Sequence, residues 1–295
     1  MRPFGPARRR STYFPAVDIT NQERTMKMKR IMLIGILTAF GVVRSVAMAQ
    51  VTTEVQQAPP AQGSDYPAGQ YKIAFSNDRP SQPYANLDNY NTALTKSGSG
   101  LDYPIGVSRH HIIPYNTIRD FFNLLWQSQS RTALAGKYFT MLGNHIPDYA
   151  KIGGGNAAAA EQASTFAKRL GSGYVKPGGA TTAPGTDDFL EYVAWMPGNL
   201  FIGPSGQFRT DDPGENFETN AKYIIGQKRF DTLVAIRDAM VAYQANPTDA
   251  RVTEIAKNLE SVAQITRVQP LVSTDWVKTG TNKYAIDTRK TIPPR

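Results

Sequence analysis

Cysteine is absent from all 295 residues. Disulfides therefore contribute nothing to this chain, and zinc sites built on thiolates are excluded. Histidine is scarce, with three in the chain. Any chemistry that needs an imidazole is thus confined to His110, His111 or His145. No Gly-x-Ser-x-Gly elbow occurs, which counts against a serine hydrolase. The glycine-rich stretches at 153–155 and 171–179 lack a following Lys-Ser/Thr, so neither is a nucleotide phosphate loop. Internal repeats are also missing.

Only one long apolar run is present, Ile31 to Val43. It follows Met-Lys-Met-Lys-Arg and leads to Ala47-Met48-Ala49, the order of a charged n-region, an apolar h-region and an A-x-A cleavage site. Residues 26–49 therefore read as a signal peptide cleaved after Ala49, with an uncleaved anchor as the alternative. The run is short for a bilayer span and is followed by Arg44, so no stable membrane insertion is expected after cleavage. Residues 1–25 read as an upstream extension that a start at Met26 or Met28 would leave untranslated. The expected location is periplasmic or secreted.

Removing the leader also removes most of the positive charge. The whole chain carries 33 Lys+Arg against 24 Asp+Glu; residues 1–49 hold nine of those bases and two of the acids, leaving a net charge of +2. Bulk charge thus gives a nucleic-acid partner no support, and any phosphate-binding patch must be local. Residues 50–70, rich in Gln, Pro, Ala and Gly, read as a flexible linker. Residues 71–295 are then long enough for one sizeable domain.

Within that domain, the run Ile105, Val107, Ile112, Ile113 closed by Pro114 predicts a strand end, and Tyr71 to Phe75 an earlier strand. Asn116 is a candidate cap for a helix in which Ile118, Phe121, Phe122 and Leu125 share one face, ending near Gln129. A second helix is predicted over about 131–142 and broken around Gly143 to Pro147, which puts His145 in a loop. Asn156 should cap an alanine-rich helix that stops at Gly171, and Thr186 a short helix through Val193. Asn199 to Gly203 reads as a second strand. Gly214 to Tyr243 reads as mainly helical with an interruption at Gly226, and Thr248 as the cap of a last helix. Asp275 to Asp287 predicts a C-terminal hairpin turning at 279–282.

The most informative stretch is Ser108-Arg109-His110-His111-Ile112-Ile113-Pro114. Neutral imidazole is a common metal ligand, and its pKa near neutrality suits it to take a proton from water. His110-His111-Ile112-Ile113-Pro114 resembles the first strand of the HNH (ββα-metal, His-Me finger) endonucleases, and Asn199-Leu200 resembles the Asn-Leu of their second strand. The resemblance implies an α+β fold, mostly helical and built around a small ββα-metal core, with a helical insertion at about 115–195. It implies hydrolysis of phosphodiester bonds in DNA or RNA, with nucleic acid as substrate. His111 would be the general base, Asn199 its orienting partner and His110 a ligand for one divalent ion.

The helix after Asn199 lacks the family's usual histidine, so Asp211, Asp212 and Asn216 are the candidate further ligands. Asp212 and Asn216 would share one side of a first helical turn. Their oxygens suit Mg²⁺, while a histidine ligand also admits Zn²⁺ or Mn²⁺. Arg209 is a candidate phosphate clamp. If the protein is a toxin, an immunity protein is the implied partner; otherwise export fits nutrient scavenging.

Plainer readings stand beside each assignment. The histidine pair can be structural, Asn199 a turn residue after Pro197-Gly198, and Asp211-Asp212 a helix cap before Pro213. His145 reads better as a loop residue than as a ligand. Trp126, Phe121 and Phe122 read as core, and Lys168-Arg169 and Lys228-Arg229 as solvated helix surface. A secreted, non-catalytic helical binding module is the competing function. Successive strand side chains face opposite ways, so both imidazoles can serve one site only if the strand bulges or twists sharply.

Overall fold

The structure, a computed structural model, describes residues 74–87, 105–173 and 183–295. The signal peptide, the linker and the upstream extension lie outside the described residues, as does most of the loop expected between Gly171 and Gly185. The protein is α+β and mostly helical. Among the described residues there are eight α-helices and two small antiparallel sheets.

Strand β1 (Val107–His111) pairs with β2 (Leu200–Pro204), His111 lying opposite Leu200 and His110 opposite Phe201. Five helices fill the chain between these strands: α1 (Tyr115–Leu125), α2 (Gln129–Leu134), α3 (Gly136–Gly153), α4 (Ala157–Gly171) and α5 (Thr186–Ala194). After β2 come α6 (Lys222–Ile225), α7 (Gln227–Ala245) and α8 (Asp249–Ala263), then the C-terminal hairpin of β3 (Trp276–Gly280) and β4 (Lys283–Ile286). The hairpin turns at Asn282, whose φ of 50° is the left-handed conformation that Asn tolerates.

Apolar periodicity places the core. Ile118, Phe121, Phe122 and Leu125 of α1 are all buried, as are Val252, Ile255, Ala256 and Leu259 of α8. Trp126 joins the same core and stacks on Phe139, so these aromatics are packing residues. Asn156 caps α4, its side-chain oxygen accepting from the backbone N–H groups of Ala158 and Ala159. Thr248 caps α8 in the same way through Arg251 N–H. Gly226 separates α6 from α7 with a φ of 84°, which costs glycine no Cβ strain.

Several local expectations are overturned. Helix α3 does not break at Gly143 to Pro147; it runs through both, and His145 is therefore helical, stacked on Tyr149. A proline inside a helix removes the N–H that would bond the carbonyl four residues back and costs about 3 kcal/mol. Here that carbonyl belongs to Gly143, and the Ser164 hydroxyl of α4 donates to it at 2.6 Å. The neighbouring helix thus supplies the missing donor. Asn116 does not cap α1: Pro114 stands at that position, and the Asn116 oxygen accepts from Thr117 N–H inside the first turn. Gly185, not Thr186, precedes α5 at its cap. Of the strand expected over Tyr71 to Phe75, residues 71–73 lie outside the described residues; Ala74 and Phe75 are not in a strand, and Phe75 instead exchanges backbone hydrogen bonds with the Asn123 side chain. Residues 214–221 form turns, and helix begins only at Lys222.

Candidate functional site

The β1–β2 ladder brings the two remote motifs together. Asn199 ends a short 3-10 turn begun by Pro197, immediately before β2, and is buried. Its backbone carbonyl accepts from Ile112 N–H at 3.0 Å. Its side chain then clamps Ile113: the amide oxygen accepts from Ile113 N–H at 2.7 Å, and the amide nitrogen donates to Ile113 C=O at 2.9 Å. Asn199 therefore holds the chain just after His111, rather than touching the His111 ring. Asparagine suits this position because one side chain presents a donor and an acceptor to one peptide.

The strand is regular through His110 and His111, with no bulge in the register. The two rings accordingly face opposite ways. His111 is half-buried against Trp195, ring centroids 4.5 Å apart, and its Nε2 lies 2.8 Å from Ala194 C=O. A carbonyl only accepts, so Nε2 carries the proton and Nδ1 carries the lone pair. Burial, with the Arg79 guanidinium adding to it, pulls the His111 pKa down to about 3. The ring is neutral across physiological pH and its tautomer is fixed, but a pKa this low makes it a weak proton acceptor.

His110 sits in a different environment. Its Nε2–H donates to Pro204 C=O at 2.8 Å, with Ser108 Oγ at 3.1 Å, and its ring stacks on Phe201 at 5.2 Å. Its Nδ1 accepts from Arg209 Nη1 at 3.3 Å. Burial, then the Arg209 charge, lowers the His110 pKa to about 4. Arg209 is the hub of this face. Its fully buried side chain donates from Nε to Asp211 at 3.1 Å and from Nη2 to Glu218 at 2.6 Å, and lies over the rings of Phe201 and Trp276. Burial raises the Glu218 pKa, and the Arg209 charge opposes that rise. The second Asp211 oxygen accepts from Ile286 N–H at 3.0 Å, which ties the C-terminal hairpin to the cluster. Gly203 lets Trp276 close over it: a Cβ there would meet the Trp276 ring at 2.5 Å.

The proposed ligand set does not form a metal cage. Among the described residues no group of three or more His, Cys, Asp or Glu could hold a metal ion. The His110 lone pair is taken by Arg209, and Asp212 stays 3.9 Å from Nδ1. Asp211 is committed to Arg209 and Ile286. Asp212 accepts from Gly214 N–H, and Asn216 donates to Pro213 C=O, both in turns and not on the face of a helix. Arg209 is likewise no exposed phosphate clamp; it is a buried cation between carboxylates.

Three contributors escaped the sequence reading. Glu218 completes the Arg209 cluster from a segment expected to be helical. Arg229, expected to be solvated, is drawn inward: Nε and Nη2 donate to Gly198 C=O at 2.9 and 2.6 Å, and Nη2 also to Pro197 C=O at 3.1 Å. Its anchoring fixes the turn that presents Asn199, and burial lowers its pKa to about 10. Arg79, near the start of the described chain, lies over the rings of Tyr115 and Trp195 beside His111. Only its position in space marks it; no spacing in the sequence does.

No protein-family model matches the chain, and no solved structure matches it. A curated relative does. Protein p9 of Acyrthosiphon pisum secondary endosymbiont phage 1 is 30% identical over 187 residues, covering 58% of this chain and 51% of the phage protein. The chain thus spans about half the length of that relative, whose name states no activity.

Proposed function

We propose that this chain is an exported HNH-like nuclease that hydrolyses phosphodiester bonds in DNA or RNA, with His111 as general base. The observation that carries this reading is the antiparallel pairing of β1 with β2, clamped by Asn199 through both polar groups of Ile113. That pairing joins segments roughly 85 residues apart and leaves one neutral, tautomerically fixed imidazole at the strand end. At a pKa of about 3 the free ring is a weak base; a substrate phosphate bound beside it would raise that pKa, and the ring would then take the proton of the attacking water. Asn199 and Arg229 are positioning residues: they hold the backbone that carries His111.

The His110 face has a different part in this reading. Its four candidate ligands do not fit a divalent ion as they stand, so no step is routed through a metal there. The Arg209 cluster acts as a latch that fastens the two-stranded sheet to the C-terminal hairpin. This structural use of His110 also favours the competing reading, a non-catalytic binding module.

One assay separates the two. Plasmid DNA and structured RNA are incubated with the protein in Mg²⁺, in Mn²⁺ and in chelator, and the same is done with His111→Ala. The nuclease reading expects cutting by the wild type and loss of roughly 10²-fold or more in the variant, the lower end of what a general base contributes. Circular dichroism should be the same for both. Equal cutting by the variant, or none by the wild type under any metal, removes the reading. An activity confined to added metal would locate the ligands elsewhere than the His110 face.

A further inference from the structure

At the start of α1 lies a cleft of about 270 Å³, walled by Arg79, Pro114, Tyr115, Asn116, Arg119 and Glu215 among others. Its size falls just below the roughly 300–1,000 Å³ of pockets that take drug-sized ligands, which suits a small charged group better than a large cofactor. Two arginines from different elements line it. Arg79 comes from the segment before β1 and is exposed; its guanidinium lies 5.8 Å from the Tyr115 ring centre and 5.5 Å from that of Trp195. A guanidinium resting on ring faces keeps its in-plane N–H fork for another partner. Arg119 is one turn along α1; its Nε donates to Asp120 at 2.8 Å.

The start of α1 forms part of the same wall. It has no N-cap side-chain bond and no acidic residue in its first turn, so apart from the Asn116 oxygen on Thr117 N–H nothing on the turn opposes its partial positive charge. Glu215, the one carboxylate in the lining, is exposed, and Asp120 beside the lining pairs with Arg119. The cleft is also tied to the candidate base. The Trp195 ring centre lies 4.5 Å from that of His111 and 5.5 Å from the Arg79 guanidinium. The Arg209 cluster lies across the strand from this position.

We infer that this cleft holds a backbone phosphate of the nucleic acid, with Arg79 and Arg119 as its charged contacts, beside His111. The inference rests on the nuclease reading and moves the phosphate contact from Arg209, which the fold consumes, to two arginines that the sequence did not single out. Planar guanidinium groups match phosphate oxygens in pairs, and each phosphate neutralised makes binding salt-dependent.

The test separates binding from cutting. A fluorescently labelled 12-nucleotide single strand is titrated in chelator, and anisotropy is read for the wild type, Arg79→Gln, Arg119→Gln, the double variant and Arg79→Lys. An uncharged methylphosphonate strand of the same sequence is the control. Each glutamine variant should weaken binding about tenfold and flatten the salt dependence, Arg79→Lys should weaken it less, and melting temperatures should match the wild type. The methylphosphonate strand should not bind. Unchanged affinity in the double variant, or a wild type that does not bind the charged strand, overturns the cleft. Should the wild type bind through both arginines yet cut nothing, the hydrolytic reading fails and the phosphate site stands. Should it cut through His111 while the arginine variants bind normally, only the cleft fails.

Discussion

Asn199→Ala tests the fold and the site together. Asn199 and Ile113 are each 1% exposed. The substitution removes two hydrogen bonds and leaves the N–H and C=O of Ile113 stranded where water does not reach. A buried polar group without a partner costs about 1–3 kcal/mol, so the pair should cost roughly 2–6 kcal/mol. Some of this would be recovered if water followed the deleted amide, and about 3 kcal/mol is a fair central figure. For a folding unit of about 150–250 residues, 1 kcal/mol moves the melting temperature by about 2–4 °C, so a drop of about 6–12 °C is expected. Thermal melts followed by circular dichroism, with urea titration to check that the slope is unchanged, give the value. The control is Asn216→Ala, because Asn216 is exposed and its side chain donates to the nearby Pro213 carbonyl; that change should stay within about 0.5 kcal/mol. If Asn199→Ala matches Asn216→Ala, the clamp does not hold the strand end, and the positioning argument for His111 goes with it.

Three further outcomes follow from the same structure. Arg209→Ala leaves the buried Glu218 and the half-buried Asp211 without their cation and should destabilise by about 3–5 kcal/mol, read by urea unfolding; a loss under 1 kcal/mol would mean the cluster is not a latch. Ser164→Ala should cost about 1–2 kcal/mol by stranding the Gly143 carbonyl, but less in a Pro147→Ala background, where residue 147 regains an N–H for that carbonyl; an additive double mutant would refute the explanation for the unbroken helix. Stability should also fall in acid. His110 and His111 have native pKa values lowered to about 4 and about 3, so between these values and about 6.5 the unfolded chain binds protons that the fold refuses. Each contributes a slope of about 1.4 kcal/mol per pH unit in its window, present in full above about pH 6.5 and lost as pH falls. Replacing His110 by Gln should remove one such slope below pH 6; an unchanged slope would show that His110 titrates normally.

Signals carried by a few neighbouring residues survived intact from sequence to structure. The Asn156 and Thr248 caps, the break at Gly226 and the hairpin turn at Asn282 all depend on backbone chemistry within four residues. The apolar stripes of α1 and α8 did so because a helix repeats every 3.6 residues whatever it packs against. Misreadings arose where a distant group supplied what the local sequence lacks. Pro147 looks like a helix breaker until the Ser164 hydroxyl arrives from another helix. Arg229 looks like a solvated surface cation until three backbone carbonyls converge on it.

The candidate site divides along the same line. Residue order alone identified the histidine pair, the Asn-Leu partner and the need for their strands to meet, because these are short motifs with a fixed side-chain chemistry. The alternation of a strand already implied that the two imidazoles would part company. Which one would be buried in an ion cluster and which would pack against Trp195 was decided only by packing. Arg209 and Glu218 are nine residues apart, and His110 is remote from both. Their charges become one cluster only when the sheet, the turn segment and the C-terminal hairpin exclude water from around them, since attraction between charges that water separates is too weak to organise a chain.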